Sequence, residues 1–266
     1  MIISARSLEE LNRPGAKGLG LRLASRLGID IPPTWGVDAE HFDSLLAELG
    51  RLNADSAAHP EAASTLLDEH PVRVMDQPCV EGPVIMRASS EEPLDRAAGL
   101  SGCLLSTVVS SAEVAPGIEA VWLSALAPEV QRQMRVTGSP LGGVAVLIQP
   151  WLSPRISGVA HTDGGAISLA ITAGHLDPLV GGETNGGTVR VRLAGPHSGL
   201  VEGPPDTVQL LRQSTSGTRL STLVEACITL REHFDGEIEI EWLIDDRSFR
   251  LLQVQPLPMA SSGAPG

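Results

Sequence analysis

Between Glu237 and Gln255 the chain spells out a β-hairpin. Glu237, Glu239 and Glu241 alternate with Ile238, Ile240 and Trp242, the period of two that puts three carboxylates on one strand face. Asp245-Asp246-Arg247 forms the turn, and Ser248–Gln255 returns with Gln253 and Gln255 sharing a face of their own. Clustered carboxylates with an amide oxygen are hard ligands suited to Mg²⁺ or Mn²⁺. The other reading is a solvated outer sheet face, ordinary in an acidic protein, and both readings stand at this point.

Upstream of the hairpin the pattern is mixed. Ser7 followed by Glu10 reads as a capping box whose helix is stopped early by Asn12-Arg13-Pro14-Gly15. Leu19, Leu23, Ala24 and Leu27 predict a helix over 17–27 that ends at Gly28. An extended segment over 29–37 and a helix over 39–52 follow, then a polar, Ala-rich connection over 53–68. Val84-Ile85-Met86 predicts a short strand that delivers Arg87 to its end. A loop over 89–97, a long helix over 113–134 and a buried strand over 143–150 come next. Strands are expected over 157–161, 166–173 and 188–193, and helix over 207–233 with a break near 214–217. The fold class is α+β.

Lys17 is the only lysine of the chain and lies in Gly15-Ala16-Lys17-Gly18-Leu19-Gly20. Arginine serves everywhere else, so a lone ammonium among glycines points to a compact charge meeting phosphate, where arginine prefers a planar two-pronged contact. The glycine loop also runs into a helix N-terminus, which favours an anion. The competing reading is a lysine left on a solvated loop. Arg87, with Ala88-Ser89-Ser90 behind it, is either a phosphate clamp or a surface ion-pair residue. Gly99 and Gly102 flank Ser101 and would let backbone approach phosphate oxygens.

A net charge of -13 argues against a nucleic-acid surface and against docking on anionic lipid. A polyanionic ligand would therefore need local cations and a metal ion. Cys79, Cys103 and Cys227 show neither zinc spacing nor a disulfide framework, and read as reduced thiols. With no signal-peptide core and no membrane-spanning apolar run, the expectation is a soluble, cytoplasmic protein with no membrane partner.

In order, five segments resemble the N-terminal nucleotide-binding domain of the phosphoenolpyruvate synthase, pyruvate phosphate dikinase and rifampin phosphotransferase family. Gly15-Ala16-Lys17-Gly18 through Gly28-Ile29-Asp30-Ile31-Pro32-Pro33 is similar to its glycine–lysine–glycine helix and G-I-P-V-P strand. Met86-Arg87-Ala88-Ser89-Ser90-Glu91 is similar to V-R-S-S-A, and Ala98-Gly99 to F-A-G. Gln149-Pro150-Trp151-Leu152 through Ser157-Gly158-Val159-Ala160-His161-Thr162 is similar to V-Q-x-M-V and S-G-V-x-F-T. Glu239-Ile240-Glu241-Trp242 with Leu252-Gln253-Val254-Gln255-Pro256 is similar to D-I-E-W and L-Q-x-R-P. The likeness covers roughly residues 10 to 258.

The resemblance implies an ATP-grasp-like fold, two lobes with a nucleotide cleft between them, divided as 1–148 and 149–258 with a flexible tail over 259–266. It implies ATP and Mg²⁺ as cofactors. Lys17 would neutralise the phosphates and Arg87 would clamp them, as the catalytic residues, with Gly99 at the nucleotide. Gln149, Trp151 and Leu152 would form the adenine hinge with their backbone, and Glu241 and Gln253 would hold the metal, supported by Glu239. Gln255 stands where the family has an arginine, and Gly102 and Cys103 replace acidic and threonine positions. Gly174-His175-Leu176-Asp177 keeps the acid of G-L-G-E but loses a glycine. No histidine lies in the family's phosphohistidine motif, and His197 has it the wrong way round. The implied function is an ATP-binding subunit of a phosphotransferase acting on a separate phosphohistidine or acceptor-domain protein, or on a small molecule. An ATP-dependent kinase or ligase and a catalytically degenerate nucleotide-binding partner are the alternatives.

Overall fold

The apolar run Val144–Ile148 lies in the middle of a five-stranded sheet with every side chain buried. The computed structural model describes residues 1–52, 60–76, 80–91, 104–137, 143–176, 179, 182, 186–193, 199, 201–215, 217–246 and 248–257. Its contacts separate two compact units, Met1–Arg22 with Pro32–Trp151, and Leu23–Ile31 with Leu152–Gly266. The division falls at 151/152 where the sequence suggested 148/149, and residues 23–31 group with the second unit. The mixed helix and sheet content makes the class α+β, as expected.

The first unit carries β1 (Ile2–Ser4), β2 (Arg6–Ser7), α1 (Gly15–Arg26, whose last turn groups with the second unit), β3 (Trp35–Val37), α2 (Ala39–Leu52) and α3 (Pro60–Glu69). It continues through β4 (Arg73–Met75), β5 (Val84–Ser90), β6 (Ser106–Val109), α4 (Val114–Ala125), α5 (Pro128–Thr137) and β7 (Val144–Pro150). The sheet order is β2-β3-β7-β5-β6, every pair antiparallel, and β1 with β4 forms a separate parallel pair. One face is covered by helices. Phe42, Leu45 and Leu49 of α2 share a stripe, and with Ile118, Val121 and Trp122 of α4 they pack on Val84, Met86, Ala88, Val146 and Ile148. Each such side chain stabilises the fold by about 1.5–3 kcal/mol on burial. The Trp122 indole N–H is satisfied by the Val144 carbonyl at 3.1 Å.

Several expectations shift here. β5 runs on through Ser90, so Arg87 lies in mid-strand and not at its end, and Ser89 and Ser90 are strand, not loop. The long helix expected over 113–134 is two, because Pro128 has no N–H to carry the ladder across Leu126 and Ala127. The connection over 53–68 contains α3. The Ser7–Glu10 capping box is present and opens a single 3₁₀ turn, Leu8–Glu10. Gly28 ends α1 in a Schellman arrangement, with Ile29 N–H on the Ala24 carbonyl and Gly28 N–H on that of Ser25, both 3.0 Å.

The second unit carries β8 (Ile156–Asp163), β9 (Ala166–Ala173), β10 (Gly187–Arg192), β11 (Val201–Glu202), α6 (Pro205–Ser214), α7 (Gly217–Phe234), β12 (Ile238–Ile244) and β13 (Phe249–Pro256). Its sheet is antiparallel throughout in the order β11-β10-β9-β8-β12-β13. α7 packs on β8, β12 and β13, and α6 on β9 and β10. The polar residues of β8 and β12 consequently alternate onto the other face. Trp242 is fully buried over Gly158, where a Cβ would lie 2.7 Å from the indole, so only glycine fits. Cys227 of α7 is a free, buried thiol that burial pushes up to about 12, so it is inert as a nucleophile. Cys79, Cys103 and the 259–266 tail lie outside the described residues. No helix of the described residues is long and apolar enough to cross a membrane.

Candidate functional site

In the first unit the glycine–lysine stretch and the Arg87 strand come together. α1 begins at Gly15, which has φ +70°, and a Cβ there would lie 2.1 Å from the Ser89 carbonyl oxygen. One turn on, Gly18 donates its N–H to Ser89 Oγ at 3.2 Å. Ser89 is two residues beyond Arg87 and so on the same sheet face, the one away from the helical core. Lys17 lies in the first turn between these two glycines, half-buried.

Gln149 of β7 shares that face, because β5 and β7 pair Ile85 with Gln149 and Arg87 with Leu147. It is 1 % exposed; its Nε2 donates to Thr34 Oγ1 at 3.0 Å, while its Oε1 has no hydrogen-bond partner. The hinge assigned to Gln149, Trp151 and Leu152 changes in one respect. Trp151 N–H donates to the Pro83 carbonyl at 2.9 Å and is spent as a reader of a purine edge. Leu152 packs with Leu176, Leu243 and Leu252 of the second unit's small apolar cluster. Gly99, Gly102, Cys103, Asp177 and His197 lie outside the described residues.

The loop before α1 is braced by Arg13, which sequence reasoning did not single out. Its guanidinium bonds Glu91 (Nε to Oε1, 2.6 Å) and Asp43 (2.6 Å), and its N–H donates to Asp38 at 2.7 Å. The paired charges raise the arginine's pKa and hold the Glu91 carboxyl below the usual 4.5. Arg22 adds bonds to the Leu8 and Leu11 carbonyls, both 2.6 Å.

In the second unit the polar face of β12 and β13 gathers Glu239, Glu241, Gln253 and Gln255. Glu239 pairs with Gln255 and Glu241 with Gln253, and a bulge follows at once between Glu241 and Trp242. Bulges turn side chains at functional edges. Gln253 is 5 % exposed, and its Oε1 is buried with no hydrogen-bond partner. An amide oxygen left without a donor costs about 1–3 kcal/mol, unless a cation or a donor completes it.

The three carboxylates that alternate along this strand differ in their surroundings. Glu237 is taken by Arg231 at 3.0 Å and by the Gly164 N–H at 2.9 Å. Glu239 is held by His161 Nε2 at 2.5 Å and by Gln255 Nε2 at 2.7 Å. Its bond raises the pKa of His161, against the lowering effect of partial burial. Among the described residues no three His, Cys, Asp or Glu side chains gather as a metal cage. Glu241 and the unpartnered Gln253 Oε1, cross-strand neighbours, are the two oxygen donors that could meet a divalent ion. That is a sparse donor set, and it suits Mg²⁺, which keeps waters and takes one or two carboxylates plus phosphate oxygens. His161 was missed because its register with Glu239 is a tertiary fact; the alternation of β8 alone put it on a polar face.

No protein-family model matches the chain, and no curated protein matches it by sequence. Among solved structures the likenesses are distant, and one of them is to a protein described as an ATP-grasp ligase. The D-alanine–D-alanine ligase of Helicobacter pylori is 16% identical with a TM-score of 0.38, over 91% of this chain and 50% of its own. The ATP-grasp ligase PsnB, complexed with minimal precursor, Mg and ADP, is 9% identical with a TM-score of 0.32, over 91% and 49%. The dinucleotide-forming acetyl-coenzyme A synthetase 1 of Ca. Korarchaeum cryptofilum is 10% identical with a TM-score of 0.45, over 91% of both chains. The chain thus spans about half the length of the two ligases. With every one of these TM-scores under one half, the likenesses carry no weight for function.

Proposed function

We propose that this chain binds ATP·Mg²⁺ and supports phosphoryl transfer from it, in the manner of the nucleotide-binding domain of phosphoenolpyruvate synthase-like enzymes. The observation that carries the reading is the buried Gln253 Oε1, without a hydrogen-bond donor, cross-strand from Glu241. These two would hold the metal, which when bound neutralises the developing phosphate charge. Lys17, in the first turn of α1, would neutralise phosphate oxygens, and Arg87 would clamp them through its fork. Gln149, Trp151 and Leu152 would flank the base, Leu152 by apolar contact. The phosphoryl acceptor would be a histidine on a partner protein or a small molecule, and the same binding chemistry serves an ATP-dependent ligase.

A second reading, a nucleotide-binding partner without turnover, is favoured by one observation. Gln255 is neutral where the resembled family has a cation, and its amide is engaged by Glu239 at 2.7 Å. Calorimetric titration of ATP with and without Mg²⁺, with Glu241→Gln as control, tests both. Metal-dependent binding lost in the variant supports the site. Such binding with no ADP formed in the presence of candidate acceptors selects the second reading, and no binding in the parent sinks both.

A further inference from the structure

The polar face of β12 and β13 is a directed chain of hydrogen bonds. Glu239 accepts through both carboxylate oxygens. His161 Nε2 reaches one of its oxygens at 2.5 Å and Gln255 Nε2 reaches the other at 2.7 Å. With its NH₂ committed to Glu239, Gln255 turns its Oε1 the other way, and Gln253 Nε2 approaches that oxygen at 3.5 Å. The last atom in the series is Gln253 Oε1, buried and without a donor. The polarity of the whole series starts at Glu239, since a donor there would reverse both amides.

We propose that His161 is a positioning residue: by anchoring Glu239 it sets, through Gln255, which end of the Gln253 amide is presented as a metal ligand. The inference rests on the reading of Glu241 and Gln253 as the metal pair. It adds two residues, His161 and Gln255, that touch no metal and still decide whether the pair works. Oriented outer residues of this kind commonly alter metal affinity by about 10–100-fold.

The sign of one substitution separates the relay from plain electrostatics. His161→Phe removes a hydrogen-bond donor beside Glu239 together with any positive charge it carries, so charge alone predicts unchanged or tighter metal binding. The relay predicts weaker binding, because an unanchored carboxylate no longer holds the Gln255 amide. His161→Gln keeps an Nε2–H donor and restores binding.

The test is titration of the full-length chain with Mn²⁺, followed by the loss of the free-ion paramagnetic resonance signal, with the thermal midpoint recorded for every variant. The expected result is Mn²⁺ affinity weakened about tenfold in His161→Phe and within about twofold of the parent in His161→Gln. Should His161→Phe unfold, Glu239→Gln replaces it, with an equal loss expected from reversal of the amides and an unchanged affinity counting against the relay. Parent binding that is lost in Glu241→Gln but kept or tightened in His161→Phe overturns the relay and leaves the metal pair standing. Absence of Mn²⁺ binding by the parent overturns the metal pair and the relay together.

Discussion

Gly18 donates its backbone N–H to the hydroxyl of Ser89 at 3.2 Å, and this bond ties the first turn of α1, with the only lysine of the chain, to the strand that carries Arg87. Two segments 71 residues apart in sequence are thereby set on one face of one sheet. The proximity needs glycine at both ends of the turn, since side chains there would meet Ser89 or Pro14.

Gly15→Ala is expected to destabilise the protein by about 2–4 kcal/mol, since a left-handed φ and a clash with the Ser89 carbonyl act together. Gly28→Ala, with φ +76° and open space around it, should cost only about 1 kcal/mol. Urea midpoints of the two variants measure the difference, and equal losses would contradict the packing assigned to Gly15.

Lys17→Ala is expected to weaken ATP·Mg²⁺ binding by at least about tenfold. Lys17→Arg should recover only part of it, because a planar fork does not reproduce a compact ammonium. Calorimetry reads both, and a Lys17→Ala variant that binds like the parent removes Lys17 from the site.

The Arg13–Glu91 pair predicts an acid limb. Bonding to Arg13 holds the folded-state pKa of Glu91 below the 4.5 of the free group. Its stabilising contribution is therefore complete above pH 4.5 and is lost as pH falls through the lower folded value. Stability of Glu91→Gln should fall less steeply than that of the parent below pH 4.5, and parallel curves in acid denaturation would refute the pairing.

Gly158→Ala should cost about 1–3 kcal/mol and shift tryptophan emission, because its methyl would lie 2.3 Å from the Ala170 carbonyl oxygen and against the Trp242 ring. Chemical denaturation followed by fluorescence checks both effects in one experiment.

Much of this organisation was legible in one dimension. The helix at 39–52, the buried strand ending at Pro150, the break between α6 and α7 and the C-terminal hairpin all follow from periodicity, proline and glycine, which act within a few residues. Short strands such as β4 and β6 left no such signal, because three or four residues hold too little pattern. Arg87 was expected at a strand end because Ser89 and Ser90 look like loop residues. They are strand because β7 pairs with them and α1 covers Ser89.

Chain-local chemistry therefore set the elements and their faces: alternating Glu and Ile make a two-faced strand wherever that strand lies. Which carboxylate has which partner was decided only by tertiary pairing. Glu237, Glu239 and Glu241 are equivalent in sequence, yet Arg231 takes the first, His161 and Gln255 take the second, and the third pairs cross-strand with Gln253 beside a bulge. Register between strands about 80 residues apart arises from burial of Trp242 over Gly158, a packing constraint that acts across the sheet and leaves no trace along the chain.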